Sequence, residues 1–326
     1  MDEVKSVITD RYAIYNDDCI KVFKNLKNNT IHMTVYSPPF ADLYNYSSDN
    51  SDMSNCTSYE QFLDHYSYLV DDIYRITMPG RISAVHCMDL KIAGQTTSFR
   101  DFPGDIIRLH QNAGFMYQTR FCIWKDPFRV ALRTRALGLT HRQLIKDSTL
   151  VQAATADYLL IFRKPGQNKQ PVEHPNGLTN YAGMREVPQD LLRYSGSSDT
   201  RNNKLSQWIW RQYASSHWDD IHGSDVLPYK EARDEDEEKH ICPLQLQVIE
   251  RAIVLYSNEN DIIATPFLGV GSEVYTALKL GRRGFGAELK ESYFNQACKN
   301  IEMVNNPGQI TLFEENTDYI EDDIME

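Results

Sequence analysis

Apolar positions along the chain fall into short continuous runs and longer stretches with helical spacing, and the two kinds alternate. Residues 31–36 (Ile-His-Met-Thr-Val-Tyr) are dense in β-branched and aromatic side chains and predict a short buried strand. Over 58–77, Phe62, Tyr66, Leu69, Val70 and Ile73 recur at the helical period behind a cap at Thr57 or Ser58, and Pro79-Gly80 is expected to stop that helix. The pattern then predicts a strand at 81–87, a helix at 105–112, and strands at 114–123 and 157–162. Toward the C-terminus it predicts a helix at 244–256 and, over 261–272, a strand, a glycine turn and a helix start. A helix with Ser272 as N-cap and Gly281 as its stop follows, then a strand at 284–288 and a helix at 292–304. Residues 12–30 read as a strand, an acidic turn at Asp18 and a short helix. The alternation predicts an α/β fold, a layered sheet with helices against it. From 164 to 230 the periodicity fades into Gly, Asn, Ser, Pro and aromatic residues. In that irregular insertion Trp208, Trp210 and Trp218 either brace a substrate or build a small core of their own.

Length changes little in this picture: 326 residues suit one large α/β domain with an insertion, or two domains. No run of about eighteen apolar residues marks a membrane span, and the polar, acidic start is unlike a signal peptide. Six cysteines are scattered without a C-x-x-C pair, which points to free thiols in a cytoplasmic protein and to no metal site. The net charge of −11 speaks against a nucleic-acid partner until its distribution is considered. Residues 314–326 hold seven acids and no base, and 231–239 hold six acids and two bases, so the rest of the chain is neutral. Against that background 120–146 stands out, with seven bases and one acid, Asp126. Lys125, Arg129, Arg133, Arg135, Arg142 and Lys146 are its candidate phosphate contacts, with a solvated helix face as the alternative.

Candidate chemistry concentrates at two corners. Ser37-Pro38-Pro39-Phe40 sits where the strand at 31–36 gives way to a polar loop, the edge at which open α/β sheets bind ligands. Two prolines fix φ and remove two N–H donors, so the turn accepts hydrogen bonds from a stiff frame. With a hydroxyl before them and a flat ring after them, it suits an exocyclic amino group on a nucleobase. The lone pair of such a nitrogen is delocalised, and acceptors that draw it toward tetrahedral geometry localise it for attack. An ordinary Pro-Pro turn with an aromatic packed beside it would read the same. The second corner is Thr265-Pro266-Phe267-Leu268-Gly269-Val270-Gly271-Ser272, a strand end, a glycine turn and a helix start. Glu288 ends the next strand about twenty residues on, a layout that holds a nucleoside and clasps its ribose hydroxyls. Val274 stands where a dinucleotide fingerprint wants a third glycine, which favours a nucleoside cofactor without phosphates.

The Phe267-x-Gly269-x-Gly271 turn, the Ser37-Pro38-Pro39-Phe40 corner and their order resemble the S-adenosylmethionine-dependent DNA amino-methyltransferases. The match is to the permuted group, whose catalytic motif precedes its cofactor motif. Asn16-Asp17-Asp18-Cys19-Ile20 looks like that family's acidic turn against the cofactor adenine. His240-Ile241-Cys242-Pro243-Leu244, with the helix after it, is similar to the segment ahead of its glycine turn. The resemblance covers roughly 12–90 and 238–303. It implies a Rossmann-like methyltransferase sheet with helices on both faces, plus an irregular target-recognition insertion. The reaction it implies is methyl transfer from S-adenosylmethionine to an exocyclic amino nitrogen of a flipped base in double-stranded DNA. Under it Ser37, Pro38, Pro39 and Phe40 are catalytic, and Asp18, Thr265, Pro266, Phe267, Gly269, Gly271, Ser272 and Glu288 bind the cofactor. Serine as first member of the catalytic motif favours cytosine N4 over adenine N6. The implied boundaries are 1–163 for a catalytic half, 164–237 for target recognition, 238–313 for the cofactor half of the same domain, and 314–326 for an acidic tail. Thr265 replaces the acid usual before Pro-Phe in this family. The rival readings are an RNA or protein methyltransferase, a nicotinamide dehydrogenase and an inactive DNA-binding relative. A homodimer is left open.

Overall fold

The computed structural model describes residues 5–39, 56, 58–92, 98–134, 136–199, 201–232 and 243–304. Phe40, Arg135, His240, Cys242 and the acidic tail lie outside them, as do most of the loop after Phe40 and the acidic stretch before His240. One sheet runs β1 (Lys5–Ile8), β2 (Tyr12–Asn16), β11 (Arg283–Ala287), β10 (Ile262–Thr265), β3 (Ile31–Tyr36), β4 (Thr77–Met88), β8 (Asp157–Arg163), β7 (Met116–Ile123) and β9 (His217–Trp218). A two-stranded ribbon, β5 (Leu90–Lys91) with β6 (Phe99–Arg100), stands apart. From β2 to β4 the central strands are parallel. β8 runs antiparallel between β4 and β7, β9 lies parallel to β7, and β1 closes the far edge antiparallel to β2. Strands from both ends of the chain therefore interleave, with β10 and β11 seated between β2 and β3.

Helices cover both faces, as the family resemblance implies. On one face α1 (Cys19–Lys24), α2 (Tyr59–Ile76) and α3 (Phe102–Asn112) press Phe23, Phe62, Leu69, Ile73 and Ile106 onto Tyr36, Val85 and Leu160. On the other, α7 (Leu246–Tyr256) packs Val248, Ile249 and Ile253 against Met33, Val35, Ala84 and Ile161. Beside it α8 (Ser272–Lys279) and α9 (Glu291–Glu302) lay Val274, Leu278, Phe294 and Ala297 on Ile14. Strand alternation divides each strand's apolar residues between these two cores. Among the described residues no helix is long and apolar enough to cross a membrane.

Three local expectations are corrected. Pro79-Gly80 does not stop α2; Thr77 ends the helix and begins β4 in one step, its hydroxyl donating to Ile73 O at 2.6 Å. Pairing of Ile31 with Thr77 resumes only at Met33 with Ile82, so residues 78–81 bulge from within the strand, and Gly80 takes φ +78° there. Ser272 is not the cap of α8: Gly271 holds that position at φ +93°, and Ser272 is the first helical residue. The irregular stretch after 164 contains a helix, α6 (Lys204–Tyr213), capped by Asn203 Oδ1 accepting from Ser206 N–H at 3.0 Å. Leu205, Ile209 and Tyr213 form its buried stripe and, with Leu178 and the flank of Trp208, a satellite core. Trp218 joins the main core instead, stacked on Phe121 at 4.4 Å between ring centroids, while Trp210 is exposed. The tryptophans that are buried thus serve packing.

Val274, which occupies the third-glycine position of a dinucleotide motif, packs on a glycine of the strand. A Cβ on Gly284 would lie 2.5 Å from Val274 Cγ1. Gly284→Ala is expected to destabilise the fold by about 1–3 kcal/mol through overpacking. Adding Val274→Ala should recover most of that loss in urea unfolding; no recovery would place the strain elsewhere.

Candidate functional site

β3 and β10 are neighbours, with Met33 opposite Ile263 and Thr34 opposite Ala264, so the two corners leave the sheet side by side at its carboxyl edge. The rings of Tyr36 and Phe267, one from each corner, lie 6.0 Å apart between centroids. Pro38 is buried, and Ser37 and Pro39 are partly so. After β10 the chain turns through Gly269 and Gly271 at φ +53° and +93°, a region glycine adopts without steric cost. Among the described residues a Cβ on Gly269 would meet no atom within 4 Å, so the turn is open on that side, whereas one on Gly271 would press on Ala297 at 3.2 Å. Glu288, the first residue beyond β11, pins the turn. Its carboxylate accepts from the Gly269 N–H at 2.8 Å and from the Lys290 N–H at 2.9 Å.

β2 is sewn to the same place. Glu288 N–H donates to Tyr15 O at 2.9 Å, and Asn16 Nδ2 donates to Glu288 O and Leu289 O, both at 2.9 Å. Asp18 follows and caps α1, Oδ1 accepting from the Ile20 N–H at 2.8 Å. Burial pushes the Cys19 thiol well up, and the charges of Asp18 and Glu288 on either side add to the shift. Thr265 is buried and donates from Oγ1 to Phe267 O at 3.2 Å, bracing the turn. Pro266 is buried as well. Among the described residues Ser272 Oγ is buried without a hydrogen-bond partner, as is Gln245 Oε1 ahead of α7. Orphaned buried oxygens are uncommon in folded proteins and call for an explanation. An open glycine turn, a carboxylate at its side and an unpaired hydroxyl at the helix start fit a nucleoside cofactor with ribose hydroxyls.

Glu273, which the sequence reading passed over, is buried one residue further on. Desolvation raises its carboxyl from 4.5 to about 8. A group raised in this way contributes stability that is complete in acid and is lost as pH climbs through the raised value. Glu273→Gln is therefore expected to flatten the fall in Tm between pH 4.5 and about 8, in thermal unfolding across that range.

A row of four polar side chains crosses four neighbouring strands at the same edge. Alternation carries Val35 on to Ser37, Ala84 to His86, Leu159 back to Asp157 and Ile123 to Lys125, all toward the face that α7 covers. Ser37 Oγ lies 2.5 Å from His86 Nδ1, and His86 Nε2 lies 3.0 Å from Asp157 Oδ2. Lys125 Nζ reaches the same carboxylate oxygen at 2.6 Å. Burial alone would raise the Asp157 carboxyl, but Lys125 and His86 beside it bring it down to about 2. An ionised carboxylate only accepts hydrogen bonds, so Nε2 carries a proton toward Asp157, and in the neutral ring Nδ1 is then the acceptor that faces Ser37. The serine hydroxyl donates to it, and its own oxygen is left as an acceptor. Sequence reading takes His86, beside Cys87, as a packed side chain in preference to a metal ligand, and Asp157 as a strand residue; it joins neither to Ser37. The polar residue at each strand end was visible, but the strand order that aligns them was not.

Arg129, Arg142 and Lys146 lie on the same side of the molecule. β7 and β3 point the same way, so the connection after β7 opens at the carboxyl edge beside Ser37. It carries α4 (Pro127–Thr134) and α5 (His141–Lys146). Arg129, Arg142 and Lys146 are exposed on them, and Arg133 belongs to α4. Lys125 turns inward to Asp157. Trp124, Phe128, Leu132, Leu144 and Ile145 are also exposed on this connection. β9 brings Asp219 and Asp220 to this edge, where both pair with Arg185 and, with it, Trp208, Arg211 and Gln212, line a cleft of about 310 Å³.

Comparison with known proteins bears on the family and the fold. The model of the N6/N4 methylase family, described as DNA methylase, matches residues 31–299. The type II methyltransferase M.HpaI of Haemophilus parainfluenzae is 21% identical over 285 residues, spanning 87% of this chain and 72% of its own length. The structure of TTHA0409 from Thermus thermophilus, complexed with S-adenosyl-L-methionine, aligns at a TM-score of 0.60 and 19% identity, over 91% of this chain and 94% of that one. The cytosine-N4-specific PvuII DNA methyltransferase aligns at 0.59 and 13% identity, over 91% of each chain. With the family match spanning both corners and the fold shared, this chain belongs to the N6/N4 DNA methylases.

Proposed function

We propose that the chain methylates the exocyclic amino nitrogen of a base extruded from duplex DNA, cytosine N4 in preference to adenine N6. The observation that carries this reading is the adjacency of the two corners on β3 and β10, which sets hydrogen-bond acceptors beside an open glycine turn. When bound, S-adenosylmethionine supplies an electrophilic methyl carbon. Glu288 accepts from its ribose hydroxyls, Asp18 meets the adenine, and Gly269 and Gly271 let the backbone approach. Thr265, Pro266, Phe267 and Ser272 wall the turn. Ser37 Oγ and the Pro38 carbonyl accept the amino hydrogens, Pro39 stiffens the turn, and Phe40 stacks on the base. A base inside the duplex cannot offer that nitrogen in line with a methyl donor, so it must leave the stack. The chain contributes orientation and electrostatics, with no covalent intermediate.

Residues 1–163 and 238–313 then form one catalytic domain, with 164–237 as its recognition insertion. Arg185, Arg211 and Gln212 at the cleft carry side chains able to read base edges. Arg129, Arg142 and Lys146, joined by Arg133 and Arg135, contact phosphates, and the exposed apolar residues among them face the duplex. Replacing Arg129, Arg142 and Lys146 with Gln should weaken DNA binding and lower the slope of log K against log salt by about 0.9 for each phosphate no longer neutralised. An unchanged slope would move the phosphate face elsewhere. Duplex DNA is the occupant that the basic side chains favour; a dimer in light scattering that buries this surface would assign it to a second copy. Free thiols at Cys19, Cys56, Cys87, Cys122 and Cys298 suit a cytoplasmic enzyme.

The test is transfer of tritiated methyl groups from S-adenosylmethionine to unmethylated genomic DNA, followed by digestion to nucleosides. N4-methylcytosine is expected. N6-methyladenine alone would overturn the base preference, and label in RNA or protein but not DNA would overturn the reading.

A further inference from the structure

We infer that Ser37, His86, Asp157 and Lys125 form a proton-accepting relay for the methylated nitrogen, with His86 and Asp157 as positioning residues behind the catalytic serine. The inference rests on the amino-nitrogen reading above and deepens it. When the base nitrogen takes the methyl carbon, the new N–C bond forms, the C–S bond breaks and its electron pair stays on sulfur. The nitrogen is then cationic and holds one proton too many. That proton moves to Ser37 Oγ while the serine passes its own to His86 Nδ1. The imidazolium so formed keeps its Nε2 proton on the Asp157 carboxylate, then releases the acquired proton to water.

Three observations carry this. The distances are those of formed hydrogen bonds along the whole line: 2.5 Å from Ser37 Oγ to His86 Nδ1, 3.0 Å from His86 Nε2 to Asp157 Oδ2, and 2.6 Å from Lys125 Nζ to Asp157 Oδ2. His86 and Asp157 are buried, so their arrangement is fixed by β4 and β8 rather than by solvent. Lys125 keeps the carboxylate ionised, so it holds a proton on Nε2, and in the neutral ring Nδ1 is the nitrogen left to accept. A buried polar row capping an apolar core is costly unless every member is satisfied. Here Asp157 Oδ1 alone lacks a partner. A serine that only had to accept from an amino group could donate to the His86 carbonyl, which lies 3.3 Å away, without an imidazole and a carboxylate behind it.

The test uses the full chain. In ¹⁵N-histidine NMR of the wild type, the His86 ring should show a protonated Nε2 and an unprotonated Nδ1. The signal is assigned by its loss in His86→Asn, or by its shift in Ser37→Ala should the first variant not fold. In parallel, single-turnover transfer from tritiated S-adenosylmethionine to unmethylated genomic DNA is compared between the wild type, His86→Asn and Asp157→Asn. Loss of a general base typically slows transfer by on the order of 10²-fold, and here cofactor and DNA binding should be unchanged. A proton on Nδ1, or folded variants that transfer at the wild-type rate, would overturn the relay while leaving the methyltransferase reading intact. A wild type that methylates no DNA would remove the reading itself, and the relay with it.

Discussion

Replacing Glu288 with alanine is expected to weaken S-adenosylmethionine binding about 100-fold, the largest single effect on the cofactor side. Two roles converge on this carboxylate. It accepts from Gly269 N–H and Lys290 N–H, so it holds the glycine turn in the shape that opens onto the crevice. It also stands where ribose hydroxyls would be received. Hydrogen bonds to a charged group are worth about 1.5–3 kcal/mol each, and losing about 3 kcal/mol corresponds to roughly two orders of magnitude in Kd. Glu288→Gln retains one acceptor and should fall between the two. Calorimetric titration of the cofactor reads both. A Kd for Glu288→Ala within about threefold of wild type would contradict the assignment, since even one lost charge-assisted bond exceeds that.

Arg251→Met is expected to be the most destabilising single substitution proposed, costing about 3–5 kcal/mol and lowering Tm by roughly 10 °C. Arg251 is fully buried, yet it is an α7 residue that reaches into the insertion. Its Nε donates to Ala182 O at 2.6 Å and its Nη2 to Asp220 Oδ2 at 2.8 Å. The rings of Tyr213 and Trp218 lie 5.0 Å from its guanidinium. Burial works against the Asp220 charge, but the Arg251 and Tyr181 hydrogen bonds and nearby Arg185 hold its carboxyl low. Methionine would keep much of the volume and leave Asp220 charged and without its main partner. Arg251→Met with Asp220→Leu should recover part of the loss, because an apolar pair of similar size carries no desolvation penalty. A change in Tm of less than about 2 °C would mean that the insertion is tied to the sheet by other interactions.

These two residues illustrate what the sequence displays and what it withholds. The place of Glu288 beside the glycine turn was legible because a strand, a glycine turn, a helix and a second strand follow one another locally, and spacing alone puts a carboxylate at the end. The strand at 31–36 was legible to the residue for the same reason: its pattern is dense and its ends are marked by polar residues. Arg251 reads from its neighbours as one more polar position on an amphipathic helix. Only the insertion folding over α7 buries it. The row from Ser37 to Lys125 was hidden in the same way, since it depends on β8 inserting antiparallel between β4 and β7. Lys125 shows the cost: its place in a basic segment suggested phosphate, and strand alternation turned it toward Asp157. Pro79-Gly80 signalled punctuation correctly but at the wrong level, marking a bulge within β4 and not a boundary. Ser272 looked like a cap because serine before a helix usually is one. The left-handed Gly271 already occupies that position, and the hydroxyl is left unpaired inside.

The claim beneath all of this is that acceptors after β3 and the glycine turn after β10 serve one crevice. A crystal structure of the full chain with S-adenosylhomocysteine tests it most directly. The account predicts the adenosine between Asp18, Gly269 and Glu288, with the sulfur turned toward Ser37 and Pro38. A ligand seated at the opposite edge of the sheet, or a sulfur facing away from Ser37, would contradict it.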